Sequence, residues 1–237
     1  MPRYWAMPEP SSMATRLMEV YGRFYAAYGP QHWWPGDGPF EVIAGAILTQ
    51  SAAWTNVEMA LGNMRTAGCW SLEAVHQLPE PELAELVRSS GYFNAKARKL
   101  KAFAAHIAFN YQGDVDRFLA KPTAPLRAEL LSIHGIGEET ADDIMVYAAY
   151  KPSFVIDTYT RRIMDRMEMT PDTARPKYGD YQAVFHKNIP RETPLYNEFH
   201  ALWDRHAKEA CAKLTPRCEN CCLLDLCPTG QKLTAET

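Results

Sequence analysis

The chain has 237 residues, of which 47% are hydrophobic and 22% are charged. This composition is ordinary for a globular protein, so it excludes disordered and fibrous classes, and the length suits one large domain or two small ones. The formal net charge of −3 lacks the basic excess of many nucleic-acid-binding proteins, so any DNA binding must depend on local patches.

No segment predicts membrane insertion or export. No apolar run approaches the roughly 18 residues of a membrane span, and the N-terminal MPRYWAMPEPSSM lacks the apolar core of a signal peptide. We therefore expect a cytoplasmic protein without membrane contact. Cytosolic thiols stay reduced, which favours metal ligation over disulfides for the cysteines.

The hydrophobic pattern predicts helices throughout and no strand, which makes the fold class all-α. PFEVIAGAILTQ, from residue 39, is typical of a buried helix, and PELAELVRSSG predicts a helix that stops at Gly91. NAKARKLKAFAAHIAFNYQG predicts a helix with Asn94 as candidate N-cap and an end near Gly113. Its predicted buried face consists of Leu100, Phe103, Ala104 and Ile107.

Two short predicted helices, TAPLRAELLSIHG and EETADDIMVYAAY, are joined through Gly135, Ile136 and Gly137. Two glycines one residue apart let backbone amides approach an anion without interference from a Cβ. The second helix begins directly after them, so its positive end faces the same place. This turn predicts a site for one DNA phosphate, and a plain helical hairpin is the alternative.

Asp157, in VIDTYTRRIMDRM, follows an apolar stretch and precedes a predicted helix. The carboxylate is a candidate catalytic group. The structural alternative is an ordinary helix N-cap. Arg162, one turn later, is a candidate phosphate ligand or a solvated charge.

Five of the six cysteines lie between residues 211 and 227. Four of them are spaced C-x6-C-x2-C-x5-C, at Cys211, Cys218, Cys221 and Cys227. Structural zinc sites usually pair two C-x2-4-C knuckles far apart in sequence, whereas four thiolates on one loop favour a [4Fe-4S] cluster. A zinc knuckle is the alternative.

The hairpin LLSIHGIGEETA, the aspartate in VIDTYTRR and the cysteine spacing, in this order, resemble the endonuclease III family of helix-hairpin-helix DNA glycosylases. Upstream, GAILTQSAAW and SSGYFNAKARKL resemble the first barrel helix and a G-x-x-N-x-K-A loop of that family. The resemblance runs from about residue 33 to residue 227.

The resemblance implies two helical domains with a DNA-binding cleft between them. Residues 31–151 are expected to form a six-helix barrel domain with the helix-hairpin-helix motif. Residues 1–30 and 152–237 are expected to form an iron–sulfur cluster domain. The implied partner is double-stranded DNA containing a damaged base, bound by a monomer, and the implied location is the nucleoid.

The resemblance also assigns residues. The catalytic aspartate falls on Asp157, the cluster ligands fall on the four cysteines, and Gln50 and Tyr92 fall on the positions that intercalate into DNA. The expected DNA-binding set is Gln50, Tyr92, Lys96, His134, Gly135, Ile136, Gly137 and Arg162, with Arg98 as a possible helper.

Glu139 is the main departure from the family pattern. Bifunctional members carry a lysine in G-x-G-x-K-T-A, where this chain reads GIGEETA. The lysine amine forms a Schiff base with the sugar and permits strand cleavage, which a carboxylate cannot do. We therefore expect a monofunctional glycosylase in which water is the nucleophile.

QHWWPGDGPFEV and LTQSAAW resemble the 3-methyladenine glycosylase subgroup, in which these segments line the base pocket. The implied pocket residues are Trp33, Trp34, Pro35, Trp54 and Glu139. Alkylated purines are cationic, and aromatic rings stack favourably on a cation. The alternative is that the tryptophans belong to the core, although Trp33 and Trp34 cannot both face into one core.

Four other functions stay open. One is a bifunctional enzyme for oxidised pyrimidines in which Lys121 or Lys151 supplies the amine, and a second is adenine removal opposite oxidised guanine. The third is a DNA-binding module without catalysis. The last is a zinc-bound structural protein.

Overall fold

The computed structural model describes residues 13–236. These residues form helices, turns and loops and contain no strand, which confirms the all-α prediction. The α-helices, in chain order, are α1 (Met13–Tyr28), α2 (Pro39–Leu48), α3 (Trp54–Thr66), α4 (Leu72–Gln77), α5 (Glu80–Leu86), α6 (Phe93–Tyr111), α7 (Val115–Leu119), α8 (Thr123–Ser132), α9 (Glu138–Asp143), α10 (Thr158–Arg166), α11 (Tyr178–Asn188), α12 (Thr193–Glu209) and α13 (Pro228–Ala235).

The described residues divide into two compact units. One unit, called here the hairpin unit, contains residues 34–152, and the other, called here the cysteine unit, contains residues 13–33 and 153–236. The sequence predicted domain boundaries after residues 30 and 151. The assignment of these units as separate domains stays a prediction, and residues 1–12 of the predicted N-terminal segment lie outside the described residues.

Helix α6 is the central helix of the hairpin unit and packs against α4 and α5. All four residues of its predicted apolar face, Leu100, Phe103, Ala104 and Ile107, are buried. Each large apolar side chain that leaves water contributes about 1.5–3 kcal/mol to folding, so burial of this face is a large part of what holds α6 in place. The helix ends where predicted, since Gln112 and Gly113 both have positive φ angles.

The start of α6 differs from the prediction. Asn94 lies within the helix, and Tyr92, with φ +45°, occupies the N-cap position without a capping side-chain hydrogen bond. The helix predicted to stop at Gly91 ends earlier, at Leu86, and a 3-10 turn, Arg88–Ser90, leads to Gly91, which has φ +69°. The two successive left-handed residues set the direction in which α6 begins, which overrides the capping preference of asparagine.

In the cysteine unit, α1, α10, α11 and α12 enclose an aromatic core. Phe154 stacks on Phe185 with ring centroids 3.7 Å apart, and Phe199 and Trp203 pack edge-on against Phe185. Phe154 belongs to the buried strand-like segment that leads into α10. Packing of this segment therefore fixes where α10 begins.

Among residues 13–236, no helix combines the length and apolar composition that a membrane crossing requires.

A polar network braces α6 against α8 on the hairpin unit. The Glu129 carboxylate accepts hydrogen bonds from Tyr111 Oη at 2.6 Å and from Lys121 Nζ, and it lies 2.8 Å from His106 Nε2. Burial raises the pKa of Glu129, but these hydrogen bonds outweigh burial and lower the pKa to about 2. The carboxylate therefore stabilises the fold in its ionised form.

Because the pKa of Glu129 is lower in the folded state than its ordinary value of 4.5, its contribution to stability is complete above about pH 4.5 and disappears as the pH falls toward 2. We predict that Glu129→Gln lowers the free energy of unfolding at pH 7 and flattens its pH dependence between pH 4.5 and 3. Urea denaturation at a series of pH values measures both effects. Glu82→Gln, at an exposed position of α5, is the control. Equal pH slopes for the wild type and Glu129→Gln would contradict the prediction.

Candidate functional site

Asp157 begins α10 and caps it. Its Oδ1 accepts a hydrogen bond from the backbone N–H of Thr160 at 2.6 Å, and its side chain is 17% exposed. The partial positive charge at the N-terminus of the helix attracts an anionic group in this position. The residue is therefore an N-cap, as the structural alternative proposed, and it also presents a partly accessible anion with a fixed orientation.

The second carboxylate oxygen of Asp157 faces His200 on α12. The Nε2 of His200 lies 3.9 Å from Asp157 Oδ2, and His200 is buried. Burial lowers the pKa of His200, while Asp157 and Asp204 act in the opposite direction. The lowered pKa favours a neutral imidazole at neutral pH, so the Asp157 charge is not cancelled by an adjacent cation.

The other end of α10 holds the cysteine loop. Arg166 Nη1 donates to Cys211 Sγ at 3.0 Å and to Ala212 O at 2.9 Å, and Nη2 donates to Lys213 O at 2.9 Å. Arg162 Nε donates to Cys211 O at 3.0 Å. Arg162 was predicted to bind DNA, but the structure engages its guanidinium with the cysteine loop.

The four predicted metal ligands line one pocket, whose empty space of about 380 Å³ includes open solvent. Arg166 and His206 also line it, and its surface is largely apolar. Cys222 is not among the lining residues. Cys69 is buried in the core of the hairpin unit, as expected for a cysteine that packs as a small apolar residue.

The chemistry of these thiols fits a metal cluster. The Sγ of Cys227 accepts from Gly230 N–H at 3.3 Å, and the Sγ of Cys221 accepts from Leu223 N–H at 3.4 Å. Burial raises the pKa of the Cys218 thiol, and the three other predicted ligands raise it further. Hydrogen bonds to sulfur and mutual repulsion of thiolates are both features of a site completed by iron.

Among residues 13–236, no three His, Cys, Asp or Glu side chains converge on a single metal ion. A cubane does not need such convergence, because each of its four thiolates binds a different iron. The residues present therefore fit a [4Fe-4S] cluster, and the cluster itself stays a prediction.

The turn between α8 and α9 is tied to the end of α2. Gln50 Nε2 donates to Gly135 O at 3.2 Å and to Thr140 Oγ1 at 2.8 Å. Its Oε1 accepts a hydrogen bond from Lys99 Nζ. Gly135 has φ +83°, a conformation that favours glycine. The structure thus brings Gln50 together with the predicted phosphate-binding turn.

The other predicted DNA-binding residues differ in accessibility. Tyr92 is 77% exposed at its left-handed turn, and His134 and Gly137 are exposed in the hairpin. Ile136 is buried, so only its backbone is available. Lys96 requires a correction: it is 2% exposed, and its Nζ donates to Leu48 O at 2.7 Å and to Ser90 O at 2.5 Å.

Lys96 therefore stabilises the fold and does not contact a phosphate. Burial lowers its pKa to about 8, and the neighbouring Lys99 ammonium adds to that effect. The two carbonyl groups that it satisfies belong to the ends of α2 and of the 3-10 turn Arg88–Ser90. Removal of the ammonium would leave two buried carbonyl groups without their hydrogen-bond donor.

Two of the predicted pocket tryptophans are in contact. Trp34 packs edge-on against Trp54 with ring centroids 5.3 Å apart, and the ring centroid of Tyr147 also lies 5.3 Å from that of Trp34. The three rings are half-buried. A Cβ added at Gly45 would lie 2.8 Å from the Trp34 ring, so α2 has a glycine where the indole approaches it.

Of the remaining pocket candidates, Trp33 is half-buried in the cysteine unit, and Pro35 is exposed. Glu139 is exposed in the first turn of α9. The exposure of these side chains does not show whether they contact a base, so that contact stays a prediction.

Sequence reasoning missed four residues at these sites. His200 lies on a helix that the motifs do not cover, and Arg166 lies in VIDTYTRRIMDRM but was not singled out. Tyr147 belongs to a π-helical turn, Ile144–Ala148, which changes the direction of its side chain relative to an α-helix. Lys99 was one of several cations in NAKARKLK; the helical period separates it from Lys96, which lies four residues before Leu100 on the predicted buried face, and this signal was not used.

Comparisons with known proteins match most of the chain. A family model described as "HhH-GPD superfamily base excision DNA repair protein" matches residues 44–190. A protein of Methanocaldococcus jannaschii that bears the name of a DNA repair glycosylase is 39% identical over 89% of this chain and 95% of its own length. The endonuclease III of Sulfolobus acidocaldarius is 28% identical over 79% of this chain and 81% of its own length.

Solved structures show the same fold. The H. pylori 3-methyladenine DNA glycosylase bound to 1,N6-ethenoadenine has a TM-score of 0.72 and 26% identity and covers 86% of this chain and 100% of its own. A trapped endonuclease III–DNA covalent intermediate has a TM-score of 0.80 and 21% identity and covers 93% of this chain and 98% of its own. The family match and these relatives confirm the predicted resemblance. The chain therefore belongs to the HhH-GPD superfamily of base excision DNA repair proteins and is a DNA glycosylase of the endonuclease III family.

Proposed function

We propose that this glycosylase is monofunctional, acts as a monomer on double-stranded DNA and removes alkylated purines such as 3-methyladenine. The observation that carries the proposal combines two features. The Asp157 carboxylate caps α10 and is partly exposed, and a glutamate occupies the position of the hairpin lysine.

Asp157 stabilises the sugar during bond cleavage. The target nucleotide leaves the base stack, because the glycosidic bond is inaccessible inside a duplex. Cleavage of the bond between C1′ and nitrogen develops positive charge on the sugar, which a nearby carboxylate stabilises. The same carboxylate orients or deprotonates the attacking water. An alkylated base departs neutral, so the reaction needs no strong general acid.

Few lysines could supply the nucleophilic amine of a lyase mechanism. Glu139 occupies the position of the family lysine. Hydrogen bonds from Lys121 to Glu129 and Tyr111 raise the pKa of Lys121, so its amine is protonated and a poor nucleophile. Lys151 follows the π-helical turn and is half-buried. Strand cleavage without alkali would show that an amine such as that of Lys151 acts as the nucleophile.

The aromatic residues support a cationic base as substrate. Trp34 and Trp54 form a half-buried pair in one unit, and a ring face near a cation contributes about 0.5–2 kcal/mol depending on desolvation. The H. pylori relative, a 3-methyladenine DNA glycosylase, supports the same substrate class. Trp33, Pro35 and Glu139 are the other residues that we propose to contact the base.

Tyr92 and Gln50 are the proposed residues that fill the gap left by the everted nucleotide. Tyr92 has the exposure that insertion requires. Side chains that occupy the gap offset part of the unstacking cost of a few kcal/mol. The hairpin backbone between His134 and Gly137 holds a phosphate of the same strand.

Cys211, Cys218, Cys221 and Cys227 are the proposed ligands of a [4Fe-4S] cluster. With four thiolate ligands the cluster has no open coordination site for substrate, so it supplies structural order to the loop between α12 and α13. Arg166 and the backbone amides of Leu223 and Gly230 orient its sulfur ligands.

A base-release assay across alkylated, oxidised and deaminated duplexes tests the function. We expect release of alkylated purines, with strand breaks only after alkaline treatment. Release of thymine glycol accompanied by strand cleavage without alkali would instead identify a bifunctional enzyme for oxidised pyrimidines.

Asp157→Asn tests the carboxylate. Asparagine is as good an N-cap as aspartate, so α10 retains its start while the charge is lost. We predict that single-turnover base release falls by about 10²-fold or more, with little change in DNA affinity. Asp114→Asn is the matched control, because Asp114 caps α7 through Arg117 N–H at 2.8 Å in the hairpin unit. Equal rates for both variants would contradict a catalytic role for Asp157.

The cluster prediction has a separate test. We expect purified protein to be brown and to contain about four iron atoms per chain. We also expect Cys218→Ser to lose iron. Cys69→Ser should retain it, because Cys69 is buried and does not belong to the cysteine loop. Elemental analysis with visible spectroscopy decides, and a colourless protein containing stoichiometric zinc would refute the cluster.

A further inference from the structure

Four cationic side chains lie close together in the sequence of α6, and their charged groups have different partners in the structure. Lys96 is buried, and its ammonium group donates hydrogen bonds to two backbone carbonyl groups. Arg98 is 54% exposed and lies 3.8 Å from Glu80 on α5. Lys101 Nζ donates to His76 O and to Leu78 O at the end of α4.

Lys99 differs from these three because it contacts the hairpin turn. A Cβ added at Gly135 would lie 2.2 Å from Lys99 Cγ, so the aliphatic part of this lysine lies directly over the glycine. Its ammonium group donates to Gln50 Oε1, and the amide of Gln50 donates in turn to Gly135 O and Thr140 Oγ1. Lys99, Gln50 and the turn therefore form one connected network.

The charge of the turn explains why a cation is needed there. The first turn of α9 contains Glu138 and Glu139, both exposed. Two carboxylates near the first turn repel a phosphate and oppose the attraction of the helix end. Arg127 is already paired with the buried Asp142 at 2.7 Å and lies 4.0 Å from Glu138. Lys99 is the cation that the structure places against Gly135.

We propose that Lys99 is a DNA phosphate ligand of the hairpin turn, and that it takes the phosphate by giving up its hydrogen bond to Gln50. The inference rests on the proposed function in one respect, namely that the hairpin contacts DNA. Lys99 would replace Lys96 as the cation of α6 that binds DNA.

The exchange is favourable because a charged acceptor forms a stronger hydrogen bond with an ammonium group than a neutral amide oxygen does. It also loosens Gln50, which loses one of the three hydrogen bonds that tie it to the turn and to α6. Phosphate binding at the hairpin and release of the Gln50 side chain toward the base stack are thereby coupled.

The salt dependence of DNA binding tests the phosphate contact. We expect Lys99→Gln to reduce the slope of log K against log salt by about 0.9, the value for one lost phosphate contact on duplex DNA. The probes are an undamaged duplex and one with a stable abasic-site analogue. Lys99→Arg should keep the slope of the wild type. Lys101→Gln, which removes the same charge from the same helix, should also keep it, and thermal melts verify that each variant is folded.

Gln50→Ala tests the exchange. If the Gln50 oxygen competes with phosphate for Lys99, Lys99→Gln should reduce affinity more in the Gln50→Ala background than in the wild type. Equal reductions in the two backgrounds would refute the exchange, and an unchanged salt slope for folded Lys99→Gln would refute the phosphate contact. Base release by the wild type keeps the two proposals distinct. If no lesion is excised while the Lys99 slope changes as expected, the proposed function fails and this inference stands.

Discussion

The hydrogen bond from the Thr160 amide to Asp157 determines what the cysteine unit presents to a substrate. It starts α10, and it leaves the second carboxylate oxygen facing His200, whose lowered pKa favours the neutral imidazole. The nine residues of α10 extend about 13 Å to Arg166, whose guanidinium holds the loop of the cysteines. One short helix thus positions both the Asp157 carboxylate and the cysteine loop. The packing of the segment before α10 fixes the position of this helix.

The hairpin unit uses a different physical arrangement. Its turn combines a glycine in a left-handed conformation with an acidic first turn, and Lys99 of the neighbouring helix α6 lies against that glycine. In the proposed mechanism, Glu139 leaves the turn without the amine that Schiff-base chemistry requires. We propose phosphate binding by Lys99 and no Schiff-base chemistry for this protein.

Features that depend on a few consecutive residues could be predicted from the sequence. The turn at Gly135, the Asp157 cap and the shared cavity of the four cysteines follow from local spacing and backbone preferences. The burial of Lys96 could have been predicted too, because successive helical residues point about 100° apart and Lys96 lies four residues before Leu100 on the apolar face of α6. The contact of Lys99 with Gly135 could not, because it depends on how α6 packs against the hairpin turn. Lys96 was nevertheless assigned to DNA, and Asn94 was assigned as a cap because the turn at Tyr92 has no strong sequence signal.

Borohydride reduction during the reaction decides whether an amine attacks the sugar, since it converts any Schiff base between the protein and the sugar into a stable covalent adduct. We expect no adduct with a duplex from which the wild-type protein releases an alkylated purine, whereas a lysine-dependent endonuclease III in a parallel reaction on an oxidised pyrimidine gives one. A trapped adduct of the wild-type protein would show that an amine attacks the sugar and would contradict hydrolysis by water under the control of Asp157.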